Sequence, residues 1–188
     1  MKAAAIFADG VFRALETGDR KLMLRVNRWP APRWIRVWMI CATRGGDGWL
    51  WLTLGLLVLA FGGAQRGAAL LTAVLSVGTG AALFLRLKRA IGRKRPCALA
   101  PHCWHTLPPP DQFSFPSGHT ITAFAVATAL GCYYPDLRTG LGFCAASVAV
   151  SRVLLGMHFV SDVVAGAILG SSLASVFAWV SARLLGGA

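Results

Sequence analysis

The feature that most constrains this chain is a set of long segments almost free of charge. Between residues 68 and 87 no charged residue occurs before Arg86. Comparable apolar runs cover 49–61, 120–133, 140–155 and 159–185. Lipid satisfies no backbone polar group, whereas a helix satisfies its own, so apolar runs of about 20 residues read as membrane-crossing helices. The sequence therefore predicts an all-α integral membrane helical bundle of about five transmembrane helices. Gly166 and Gly170 stand four apart in the last run, a spacing that lets two helices approach closely. At 188 residues, one domain covering 1–188 is expected.

Charge limits the partners. The chain carries 19 Lys+Arg against 7 Asp+Glu, a net charge of +12, yet only 14% of its residues are charged and its mean hydropathy is +0.60. A nucleic-acid binder could be as basic but would not carry several apolar spans. Anionic membrane lipids or a phosphorylated substrate fit better. The N-terminus does not read as a signal peptide, because Ala3 to Ala8 is too short and Asp9 interrupts it. From Val11 to Arg36, Leu15, Leu22, Met23, Val26 and Trp29 alternate with Arg13, Arg20, Lys21, Arg25 and Arg28. Residues 1–47 are thus expected to form an amphipathic segment in the membrane interface, broken at Pro30 and Pro32. The glycine-rich stretch Arg44 to Gly48 is read as its end.

Three polar stretches meet at one end of the expected bundle. The second span ends at Lys88, followed by the basic run to Arg95 and a proline-rich loop to Pro116. The third span begins at Ser117-Gly118-His119, where a helix N-terminus offers free N–H groups to an anion beside a proton donor. The fourth span ends near Arg152, and the fifth begins near His158 and Asp162, which lie four apart on one helical face. Alternating spans put all four points on the same membrane face. Ionisable residues at such span ends are functional candidates, with Asp162 able to orient and support His158.

Lys88, six residues, then Arg95-Pro96; Pro116-Ser117-Gly118-His119; and Ser151-Arg152, five residues, His158, three residues, Asp162: this series resembles the three signature motifs of the type 2 phosphatidic acid phosphatase family. That family is itself similar to bacterial class A acid phosphatases and vanadium haloperoxidases. The resemblance covers residues 88–162 as the catalytic motif region. It departs at the N-terminus, where many bacterial members have a further span. It implies an integral membrane lipid phosphatase. In that scheme His158, oriented by Asp162, attacks phosphorus and His119 protonates the leaving oxygen. Lys88, Arg95, Arg152, Ser117 and Gly118 hold the phosphate. No cofactor and no metal is implied, since Lys and Arg supply the positive charge. Arg89, Arg93 and Lys94 match no motif position and are read as interfacial or headgroup contacts.

Undecaprenyl diphosphate, phosphatidylglycerol phosphate, phosphatidic acid and the lipid A 1-phosphate all suit such a site. Lipid-to-lipid phosphotransfer and non-catalytic binding of anionic lipids are the alternative functions, and a haloperoxidase is disfavoured by the spans. Cys97 and Cys103 share the active-face loop and could pair in an oxidising compartment. With His102 and His105 their spacing is poor for zinc. Cys132 and Cys144 read as small core residues. Five spans would leave all Lys and Arg but Arg66, Arg138 and Arg183 on the active face, which the positive-inside rule would make cytoplasmic. The family resemblance instead implies a bacterial inner membrane with the site facing the periplasm. Oligomeric state is left open.

Overall fold

A computed structural model describes residues 16–100 and 111–185. Helix α1 covers 16–27 and α2 Arg33–Arg44; the bend between them falls at Pro30 and Pro32. One π-helical turn, Gly45–Trp49, joins α2 to α3, Leu50–Phe61. The glycine-rich stretch therefore kinks a helix instead of ending it. Gly48, at a φ of 126°, absorbs the kink in a conformation that a side chain would disfavour. Helix α4 is Arg66–Ile91, α5 the short Pro96–Leu99, α6 Gly118–Tyr133, α7 Arg138–Leu154 and α8 Val160–Leu185. No β-strand occurs among the described residues; a single bridge ties Lys94 to Phe113.

Among the described residues three stretches are long and apolar enough to cross a membrane: Gly63–Ile91, Pro135–Leu154 and Val160–Leu184. Helices α3 and α6, of 12 and 16 residues, run between the same two ends of the bundle. Helix α6 is the axis. Ile121, Ala123, Ala125, Val126, Ala129 and Leu130 bury it among its neighbours. Small residues permit this contact. A Cβ on Gly170 of α8 would stand 2.3 Å from the Ile121 carbonyl oxygen, and one on Gly166 would stand 2.9 Å from that of Ser117. The outer faces carry Leu56, Phe61, Val74, Ile168 and Trp179, all exposed, as lipid-facing surfaces require.

One end of the bundle is polar. Helix α4 stops there when Gly92 turns left-handed, at a φ of 61°, and returns its N–H to the Lys88 carbonyl at 3.1 Å. Helices α7 and α8 are joined there by a turn in which Gly156 has a φ of 68°. Under this turn Ala31 and Met39 pack with Leu155 and Met157, so the N-terminal helices brace the segment that carries His158. Cys132 is exposed and Cys144 half-buried, so the expected core placement of Cys132 does not hold. Cys103, His102 and His105 lie outside the described residues, as do residues 101–110 of the proline-rich loop.

Candidate active site

A cavity of about 410 Å³ opens at this polar end. Lys88, Arg95, Gly118, His119, Arg152 and His158 line it, so six of the eight residues singled out in the sequence share one space. Asp162 and Ser117 stand behind the wall. Ser117 occupies the N-cap position of α6 but makes no side-chain cap; its buried hydroxyl accepts a bond from Thr120 Oγ1 at 2.9 Å. Its N–H donates to the Asp162 carbonyl at 3.1 Å and fastens α6 to the start of α8.

The hydrogen bonds fix the state of His158. Its Nδ1 lies 2.6 Å from the Ser114 carbonyl oxygen, which can only accept, so Nδ1 carries a proton. Its Nε2 lies 3.3 Å from Arg95 Nη1, which can only donate, so Nε2 presents its lone pair. Burial pushes the His158 pKa down to about 4, helped by Arg152 and Arg95 against the pull of Asp162. The ring is thus neutral near pH 7.

Asp162 is 3.7 Å from His158 Nδ1, beyond hydrogen-bond length, so the carbonyl of Ser114 orients the ring. Asp162 accepts from the Phe159 N–H at 2.8 Å and from Arg93 Nη1 at 2.6 Å. Arg93 also reaches Asp19 of α1 at 2.8 Å and Ser161 Oγ at 2.7 Å, while lying 4.2 Å over the Phe159 ring. Burial opposes its charge, but the two carboxylates raise its pKa above the ordinary value. The expectation of a headgroup contact at Arg93 is corrected: the side chain is a half-buried brace that ties α1 to the His158 segment.

Two acids that no motif pointed to also line the cavity. Asp111 bridges the cations, accepting from Lys88 Nζ and, at 3.0 Å, from Arg95 Nη2. Burial would raise its pKa, but those bonds outweigh it and hold the carboxyl below its ordinary range. Asp47, on the π-helical turn, lies 2.7 Å from His119 Nε2 and 3.6 Å from Arg44. Arg95 is further held through the carbonyls of Asp111 at 2.7 Å and Met157 at 2.8 Å. Arg152 donates to Thr43 Oγ1 at 2.6 Å, and its buried Nε has no partner among the described residues. A donor buried without a partner is expensive unless a ligand completes it. One signal could have exposed Asp47 and Asp111: acids are rare in this chain, and these two fall in segments bound for the basic face.

This is a multi-pass membrane protein with a basic, histidine-bearing cavity at one end of its helical bundle. The chain belongs to the PAP2 superfamily, whose family model matches residues 67–185. It is 37% identical over 121 residues to a lipid A 1-phosphatase of Rhizobium etli, a match covering 62% of this chain and 51% of that protein. It is 32% identical over 145 residues to a decaprenylphosphoryl-5-phosphoribose phosphatase of Mycobacterium tuberculosis, covering 73% and 78%. The chain thus spans about half the length of the lipid A 1-phosphatase it matches. Its fold is similar to the crystal structure of a transmembrane PAP2 type phosphatidylglycerolphosphate phosphatase from Bacillus subtilis. The TM-score is 0.71 at 26% identity, covering 90% of this chain and 87% of that one.

Proposed function

We propose that this protein is a membrane lipid phosphatase that removes a phosphoryl group from a lipid headgroup through a phosphohistidine. The observation that carries the reading is the pairing, in one cavity, of three cationic side chains with a histidine nitrogen that carries no proton. His158 Nε2 attacks phosphorus, forming the P–N bond as the P–O bond to the lipid breaks. Lys88, Arg95 and Arg152 take the charge that spreads over the other phosphoryl oxygens. The Gly118 backbone contributes at the N-terminus of α6. His119 gives a proton to the leaving oxygen. It then takes one from the water that cleaves the P–N bond and returns the electron pair to Nε2. Asp162 supports the charge on His158 from behind, and Ser117 holds α6 to α8. Positive charge comes from side chains, without a metal or cofactor.

The cavity opens at the ends of lipid-facing helices, so the substrate enters from the bilayer with its phosphate at headgroup level. Lipid A phosphate, phosphatidylglycerol phosphate, phosphatidic acid and undecaprenyl diphosphate are the candidates, and the relatives' names support that class. We place the site on the periplasmic face of a bacterial inner membrane. The test is phosphate release from these lipids by purified protein, with His158→Ala as control. The variant should insert and fold yet release nothing and trap no phosphoenzyme. Turnover near the wild-type rate would refute the phosphohistidine. If the phosphate appears instead on a second lipid alcohol, the protein is a phosphotransferase using the same intermediate.

A further inference from the structure

The Gly45–Trp49 turn is absorbed by none of the three motifs, yet it interrupts the α-helical backbone between α2 and α3. Helix α2 would continue into α3 but for this one π-helical turn, and Gly48, at a φ of 126°, absorbs the kink. Turns of this kind recur at functional sites because they re-aim one side chain. The side chain re-aimed here is Asp47, whose Oδ1 stands 2.7 Å from His119 Nε2. Gly46 completes the fit. A Cβ there would stand 3.3 Å from the His119 ring and 2.9 Å from Val148, so only a glycine lets the turn come this close. Arg44, one turn back, lies 3.6 Å from the other carboxylate oxygen.

We infer that Asp47 is the positioning residue for His119, holding a proton on Nε2 so that this ring can protonate the leaving oxygen. The inference rests on the function proposed above and deepens it. Arg152 and Arg95 line the same cavity as His119, and burial together with these two cations opposes a positive charge on its ring. The Asp47 carboxylate is the counter-charge, and as an acceptor it requires the proton to sit on Nε2. In the first step the leaving oxygen takes the place of Asp47 at Nε2 and receives that proton as it receives the electron pair of the breaking P–O bond. In the second step Nε2 takes a proton from the attacking water, and Asp47 again stabilises the resulting imidazolium. Asp47 differs from the carboxylate of a hydrolytic triad, which bonds the imidazole nitrogen remote from the chemistry: it bonds the reacting nitrogen itself. It also assigns a purpose to a kink that otherwise interrupts a membrane helix.

Protonation of the leaving group matters most when that group is a poor one. Phosphatidic acid expels an alkoxide, which needs a proton. p-Nitrophenyl phosphate and farnesyl diphosphate expel groups that leave without one. The experiment measures kcat/KM of the full-length protein in detergent on all three, for wild type, Asp47→Asn, Asp47→Glu, His119→Asn and the double variant Asp47→Asn/His119→Asn. For Asp47→Asn, the ratio of alkyl to activated-ester rates should fall about 100-fold, the size of one general-acid contribution. Asp47→Glu should recover part of it. In the His119→Asn background the loss of Asp47 should add little, because the two act as one unit. The rate ratio is independent of how much enzyme is folded, so a destabilised variant still reports. An unchanged ratio in Asp47→Asn, together with additive losses in the double variant, overturns the role of Asp47 and leaves the phosphatase reading standing. A wild-type protein that releases phosphate from none of the three, nor from lipid A phosphate, phosphatidylglycerol phosphate or undecaprenyl diphosphate, overturns both.

Discussion

Replacing Gly170 with alanine tests the packing on which the site depends. A Cβ at this position would lie 2.3 Å from the Ile121 carbonyl oxygen and 3.0 Å from the Ala125 nitrogen, both backbone atoms of α6. Ordinary contact begins near 3.4 Å, so α8 must move away by about 1.1 Å (3.4 less 2.3). Backbone cannot rotate aside as a side chain can, so the cost falls in the overpacking range of about 1–3 kcal/mol. Gly78 of α4 is the control, since a Cβ there meets nothing within 4 Å. Gly78→Ala should gain up to about 1 kcal/mol from helix propensity. For a chain of this size each kcal/mol moves the melting point by roughly 2–4 °C. In detergent, Gly170→Ala should melt roughly 2–12 °C below wild type, while Gly78→Ala should melt at or above it. Phosphate release should fall with Gly170→Ala even below its melting point, because α6 carries His119 and α8 carries Asp162. Equal melting of the two variants would refute the close α6–α8 approach.

The remaining predictions concern charge and topology. With the His158 pKa depressed to about 4, histidine-selective NMR should show its ring neutral at pH 5. Roughly nine-tenths would then be unprotonated, against only a few per cent for an ordinary imidazole. Because the unfolded chain binds this proton more readily, His158 removes stability as pH falls from 6.5 towards 4; titration near 6.5 would refute the assignment. Arg93→Met should cost about 3–5 kcal/mol by leaving Asp19 and Asp162 buried without a cation, read as a lower melting point. Activity should survive EDTA without added magnesium, and a strict magnesium requirement would count against Lys88, Arg95 and Arg152 as the phosphate's counter-charges. A membrane-impermeant thiol reagent on intact, pre-reduced spheroplasts should label half-buried Cys97, whereas labelling only after the membrane is opened would put the site in the cytoplasm.

The spans and the clustering of the motif residues were legible because both are periodic or closely spaced in the chain. Runs without charge gave the helices to within a few residues at most ends, and alternation of spans gave the common face. What escaped was what depends on tertiary fit. The group that orients His158 is a backbone carbonyl, at Ser114, and a carbonyl has no signature in a sequence. Asp162, four residues from His158, suggested itself by helical spacing, but His158 precedes the first turn of α8, so that spacing does not bring the two side chains into bonding distance. The stretch Arg44 to Gly48 carries the composition of a helix terminator, and local propensity alone would stop the helix there. Tertiary contacts of Asp47 with His119 and of Thr43 with Arg152 carry it through instead. Arg93 resembled any basic residue beside a membrane, because its partner Asp19 is far away in the chain.

The acids explain how so basic a site can exist before substrate arrives. Three guanidinium or ammonium groups around one cavity repel each other, and in a low-dielectric bundle that repulsion is large. Four of the chain's seven acids answer it in separate places. Asp19 and Asp162 take up Arg93 behind the nucleophile, Asp111 spans Lys88 and Arg95, and Asp47 meets His119. Arg152 alone of the cavity's cations is answered only by a neutral hydroxyl, and it keeps a buried donor unpartnered among the described residues. Under the proposed function, a phosphate dianion entering the cavity would find its uncompensated attraction at Arg152. Once there, it carries more charge than the single carboxylate of Asp111 and can take over Lys88 and Arg95 as well. On that reading the Asp111 bridge holds those two cations in position and yields them to the more highly charged phosphate. Phosphorus would be drawn by the same exchange towards the Arg95 face, where His158 Nε2 presents its lone pair 3.3 Å from Nη1.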